Sequence, residues 1–103
     1  MNDYVNLIRG LKLKHAEKSV LWILADRADE RGQSFPGWDT LQQEASVARQ
    51  TLSKALESLA DQGLIHIEKR RLGGKFKNYK HNVYTLNLER IRSKLGLYLR
   101  ERN

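Results

Sequence analysis

Arg49, Gln50, Ser53 and Lys54 fall within the stretch "ARQTLSKALESLA". Helical spacing places them opposite Leu52, Leu56 and Leu59, which Ala55 supports. An arginine fork can donate two parallel hydrogen bonds to guanine O6 and N7, and a glutamine amide can pair with adenine N6 and N7. Each such pair is worth about 1–3 kcal/mol of discrimination against a wrong base. Arg49, Gln50, Ser53 and Lys54 are therefore candidate base readers. A second set, Arg70, Arg71, Lys75, Lys77 and Lys80, surrounds a glycine pair and is interleaved with Phe76 and Tyr79; no acidic residue occurs from Arg70 to Asn87. Clustered cations of this kind bind a polyanion by releasing its counterions, and a glycine tip can approach a backbone or minor groove closely. Thr40 and Thr51 carry hydroxyls near expected helix starts, where free N–H groups and the helix dipole favour a phosphate. They would position a duplex without reading it.

Composition agrees with a polyanionic partner and excludes several other classes. The chain has 103 residues, a net charge of +7, one proline and no cysteine. Residues 1–63 carry 8 Lys or Arg against 9 Asp or Glu, whereas residues 64–103 carry 11 against 3. The positive charge thus lies towards the C-terminal end. The length fits one domain, expected over residues 1–103. Without cysteine there is no disulfide frame, thiolate metal site or cysteine nucleophile, and the chain suits a reducing cytoplasm. His15, His66 and His81 are far apart and match no metal-binding spacing, and neither a phosphate loop nor a nucleophile elbow occurs. The expectation is a cytoplasmic protein that is not an enzyme, with no cofactor, no metal, no small-molecule ligand and no membrane partner.

The elements that would carry these residues follow from periodicity. "HAEKSVLWILADRADERG" puts Ala16, Val20, Ile23 and Leu24 on one stripe and predicts a helix over 15–31, stopped at Gly32. The apolar segment "YVNLIRGLKL" before it reads as a helical turn or short helix. "QSFP" is brief and extended, because the residue before Pro36 is pushed out of the helical region. Gly37 and Asp39 then open a second helix, "SVA" breaks it, and a third runs over 49–62 to Gly63. From Leu64 the period becomes two. Ile65 and Ile67 in one run, and Tyr84 and Leu86 in the other, predict a β-hairpin with its basic tip at 70–80. Asn87 caps a last helix, about 88–102, with Ile91, Leu95, Tyr98 and Leu99 along an apolar stripe. That stripe can pack within the monomer or pair two subunits into a homodimer, and dimerisation leads slightly.

The resulting order is helix, short strand, helix, turn, helix, hairpin and helix, an α+β winged helix-turn-helix with an extra C-terminal helix. Residues 11–88 resemble the bacterial winged helix-turn-helix family of small regulators and of the N-terminal domains of plasmid and phage replication initiators. The resemblance rests on Leu13, Glu17 and Lys18, on Pro36, on Val47 and Arg49, on Gly63-Leu64-Ile65, and on the return strand "NVYTL". Ala48 and Lys14 depart from it by standing where capping residues are usual. The resemblance implies binding to double-stranded DNA, with the helix over 49–62 in the major groove and the wing on the flanking backbone or minor groove. A small transcriptional regulator is the leading expectation. A plasmid or phage replication-origin or partition-site protein is the alternative, and a winged-helix protein-interaction module is the alternative of another class.

Overall fold

The computed structural model describes residues 3–71 and 80–102, without the side chains of residues 3, 71, 80 and 97–102. The elements are α1 (Asp3–Arg9), α2 (His15–Asp26), β1 (Gln33–Ser34), α3 (Trp38–Ala45), α4 (Arg49–Asp61), β2 (Ile65–Arg71), β3 (Lys80–Leu86) and α5 (Leu88–Arg102). Helices α2, α3 and α4 form the three-helix core. The two-stranded wing is extended by β1 into a three-stranded antiparallel sheet of order β1-β3-β2. The short "QSFP" segment is thus a sheet edge, with Gln33 opposite Thr85 and Ser34 opposite Tyr84.

One apolar cluster joins these layers. Val20, Leu21, Leu24, Leu41, Leu52, Leu59, Leu64, Tyr84 and Ile91 are completely buried in it. The expected apolar stripes of α2 and α4 form its centre, and full burial of one such leucine contributes about 1.5–3 kcal/mol relative to exposure. In the sheet, Ile65 faces Leu86 and Ile67 faces Tyr84 across the β2–β3 ladder, so the period-two reading holds on the inner face. Val83, on the opposite face, is also buried, which simple alternation does not anticipate.

Helix α2 ends at Asp26 rather than at Arg31. Asp29 supplies the reason, because its carboxylate accepts the backbone N–H groups of Arg31 (2.8 Å) and Gln33 (3.0 Å), and its own N–H donates to the Gln33 carbonyl (2.9 Å). A short acidic side chain thereby offers the backbone better partners in a turn than in a helix. Those N–H donors, Gln33 foremost, hold the Asp29 carboxyl below its ordinary pKa.

Two helix ends set the direction of the candidate site. After α4, Gly63 has φ 75°. Its N–H donates to the Ala60 carbonyl (2.9 Å), while the Leu64 N–H reaches the Leu59 carbonyl (3.0 Å). These are the paired bonds of a Schellman motif, and Leu59 and Leu64 are both buried in the core cluster. The turn after α3 repeats the pattern, with Val47 N–H donating to Gln42 (3.2 Å) and Ser46 N–H to Gln43 (3.3 Å). Here the left-handed position, φ 56°, is occupied by Ser46. Any Cβ in that region approaches the following carbonyl, a cost of about 1–2 kcal/mol that glycine escapes.

Helix α5 begins as expected, with the Asn87 carboxamide oxygen accepting the Arg90 N–H (3.0 Å). Ile91 is wholly buried, and Leu95 packs on the core beside Gly10, where an added Cβ would lie 3.1 Å from its methyl group. The described half of the stripe therefore packs inside the monomer, where α5 meets α1. Tyr98 and Leu99 lie on α5 with side chains outside the described residues.

The left-handed positions at Ser46 and Gly63 predict opposite responses. Gly63→Ala should lower stability by about 1–2 kcal/mol, since the new Cβ would also sit 3.1 Å from the Arg90 side chain. Ser46→Gly should leave stability unchanged or raise it by up to about 1 kcal/mol. Urea midpoints at constant m-value measure both.

Candidate nucleic-acid interface

The exposed surface of α4 is defined by what its other side buries. Leu52, Ala55, Leu56 and Leu59 are buried, which leaves Arg49, Gln50, Thr51, Ser53 and Lys54 exposed in the first two turns. All four candidate base readers therefore stand on solvent-facing helix. Further along, Glu57 and Asp61 are exposed as well. Their charge would oppose phosphates, so the cationic and neutral surface is confined to the N-terminal half of the helix.

Ala48 contributes no side-chain bond at the start of α4, as its type implies. Arg49 supplies a different tie. Its guanidinium carbon lies over the Trp38 ring, 4.9 Å from the centroid, and Nη1 donates to Gln42 Oε1 at 3.5 Å. A cation over an indole at an exposed site gains about 0.5–1 kcal/mol. Trp38 is half-buried against the core at the first position of α3. Sequence spacing gave no sign of this contact, because Trp38 and Arg49 belong to different helices and meet only through the turn at Ser46.

Behind α4 runs a polar junction. Ser58 Oγ donates to Glu17 Oε2 (2.6 Å), and Gln62 Nε2 donates to Ser58 Oγ (3.1 Å). The other oxygen of buried Glu17 accepts the Lys14 N–H (3.1 Å), the half of a capping box that the N3 side chain supplies. Lys18 Nζ donates to the Arg9 (2.7 Å) and Leu11 (3.1 Å) carbonyls and so holds the end of α1. The Glu17-Lys18 pair is thus structural, with one residue tying α2 to α4 and the other tying α2 to α1. From the far side, Arg90 Nε donates to the Gln62 carbonyl (3.2 Å) and covers Gly63. Arg27 at the end of α2 forms an ion pair with Glu44 of α3.

The phosphate candidates are separated by this arrangement. Thr51 and Lys54 line an open groove of about 240 Å³ beside Lys14 and Ala16 at the start of α2. Thr40 is half-buried in the first turn of α3. Thr51 therefore flanks α4 on the α2 side, while Arg49 leans towards α3.

On the wing, Arg71 pairs with Lys80 and Arg70 with His81 across the ladder. Exposed Arg70 is engaged by Glu68 (3.2 Å), and that guanidinium holds the Glu68 carboxyl below its ordinary pKa. Arg70 is consequently less free than its place in the basic run suggests. The Arg71 and Lys80 side chains, together with Lys75, Lys77 and Tyr79, lie outside the described residues. Among the described residues, no group of three or more His, Cys, Asp or Glu could hold a metal ion, and no helix is long and apolar enough to cross a membrane.

A three-helix core with a left-handed turn before an exposed helix, followed by an antiparallel wing, defines a winged helix-turn-helix protein. The chain belongs to the helix-turn-helix domain family, whose model matches residues 11–65. Its fold is similar to that of a possible transcriptional regulator from Methanosarcina mazei Go1, at 15% identity and TM-score 0.64, over 93% of this chain and 76% of that one. It is also similar to a MarR-family transcriptional regulator from Silicibacter pomeroyi, at 23% identity and TM-score 0.58, over 95% of this chain and 62% of that one. The chain spans less than two thirds of the latter's length. At these identities the likeness is one of fold. No curated protein matches the chain significantly.

Tyr84 links wing and core and gives a pH signature. Burial pushes its hydroxyl pKa above 10.0, partly offset by a hydrogen bond from Asn82 and by the nearby Trp38 indole. The fold therefore favours the neutral phenol. That contribution is complete below the unfolded value and is lost as pH rises through the folded one. Denaturation midpoints should fall as pH rises above about 10, and Tyr84→Phe should flatten that fall.

Proposed function

We propose that this protein is a sequence-specific double-stranded DNA-binding transcriptional regulator. The observation that carries the reading is the N-terminal half of α4. Arg49, Gln50, Ser53 and Lys54 are exposed there together over a fully buried leucine face. A helix held in this way can enter a major groove with its early residues at the base edges. In this reading Arg49 and Gln50 select bases, Ser53 and Lys54 support them, and Thr40 and Thr51 meet phosphates on the two flanks of the helix. The charge of residues 64–103 supplies the sequence-independent part of the affinity through the wing. With Ile91 and Leu95 packed in the monomer, pairing of two subunits through α5 would fall to the later part of its stripe, at Tyr98 and Leu99.

Titration of duplexes at several salt concentrations tests the reading. Affinity should fall steeply with salt while one sequence stays preferred. Arg49→Ala should relax the preference at one base pair, at a cost of about 1–3 kcal/mol for the preferred duplex. Lys75→Ala should weaken all duplexes alike and reduce the salt slope by about one. Equal, weak binding to every duplex would instead leave a winged helix suited to acidic protein partners.

A further inference from the structure

Arg49 is an exposed arginine held over an aromatic ring, as Arg9 is over Trp22 at 5.8 Å, but with the shorter distance and at the start of α4. Among the described residues it makes no ion pair. Its charge lies over the Trp38 indole at 4.9 Å, and a single N–H meets an acceptor, the Gln42 amide oxygen at 3.5 Å. The ring engages the charge of the guanidinium electrostatically. Most of the donor fork therefore remains available for a planar partner.

Trp38 is itself fixed. It packs on the core, and its indole lies near enough to the hydroxyl of wholly buried Tyr84 to favour the ionised phenol. The same hydroxyl accepts from Asn82 Nδ2 at 3.1 Å. An unbroken set of contacts thus leads from the return strand of the wing, through Trp38, to the first residue of α4. It reaches that helix at the end where Ala48 provides no cap.

We propose that Trp38 is a positioning residue for Arg49, and that by holding the guanidinium before DNA arrives it sets how sharply Arg49 discriminates its base, without touching DNA itself. The proposal rests on the base-reading role of Arg49 given above. The physical basis is entropic. An arginine side chain loses much rotamer freedom when it is immobilised at an interface, and one already held near its bound position loses less. Precision of aim matters most for a bidentate contact, which fails when the fork rotates.

The test is a cycle of Trp38→Leu, Arg49→Ala and the double variant, measured on the preferred duplex and on its single-base variants. Trp38→Leu should reduce discrimination about fivefold to tenfold at the one base pair whose preference Arg49→Ala abolishes. In the Arg49→Ala background the same change should alter binding by less than about twofold. Trp38→Phe keeps an aromatic face, and its loss at that base pair should be smaller. Where Trp38→Leu does not fold, Trp38→Phe and Gln42→Ala go through the same cycle, and both should act only in the presence of Arg49. An effect of Trp38→Leu that is equal on all duplexes, or undiminished in the Arg49→Ala background, would make Trp38 a packing residue alone and overturn the proposal. An Arg49→Ala protein with unchanged preference at every base pair would overturn the base-reading role first, and the positioning role with it.

Discussion

Complete burial of one face of α4 is the constraint on which the rest of the molecule depends. Leu52 and Leu59 have no exposed surface, and Ala55 and Leu56 have almost none, which fixes the rotation of the helix about its own axis. Rotation by one residue would expose a leucine and bury a charged or amide side chain without partners, at a cost of several kcal/mol. The exposed set of Arg49, Gln50, Ser53 and Lys54 is the complement of that buried face. Substitutions among these four side chains can change the chemistry the helix presents while leaving its orientation to the leucines.

Rotation alone does not fix the helix along its length, and here polar contacts add what apolar burial cannot. Glu17 and Ser58 join α2 to α4 near its C-terminal end, and Gln62 extends that junction to the last turn. At the other end the tie is the Arg49 side chain over Trp38. The two Schellman turns, at Ser46 and Gly63, set the entry and exit directions of the backbone. Gly63 also allows the Arg90 side chain to lie close over the chain, so that α5 braces the point where α4 gives way to the wing. The exposed face of α4 and the strands of the wing are thereby joined to one core.

Local chemistry made much of this legible in the sequence. The leucine spacing of α4, the change of period at Gly63, the caps at Gly37 and Asn87 and the missing cap at Ala48 all involve residues within a few positions of one another. What escaped was long-range or competitive. Nothing near Gln33 indicates that it will lie against Thr85, because a two-residue strand has no periodicity of its own. The Asp29 turn overrode a helical pattern that would otherwise have continued to Arg31. The Glu17–Ser58 bond spans 41 positions, and the family pattern marked Glu17 without indicating its partner. The basic run around Arg70 was legible as charge, while the pairing of Arg70 with Glu68 required combining that charge with the strand period, which puts the two side chains on one face.

The central claim is that the α4 surface selects a DNA sequence. Selection of duplexes from a random pool by the intact protein tests it most directly. The expected result is enrichment of one motif, with at least one strongly preferred base pair that is lost when the selection is repeated with Arg49→Ala. Recovery of an unenriched pool, with binding that depends only on salt, would contradict it.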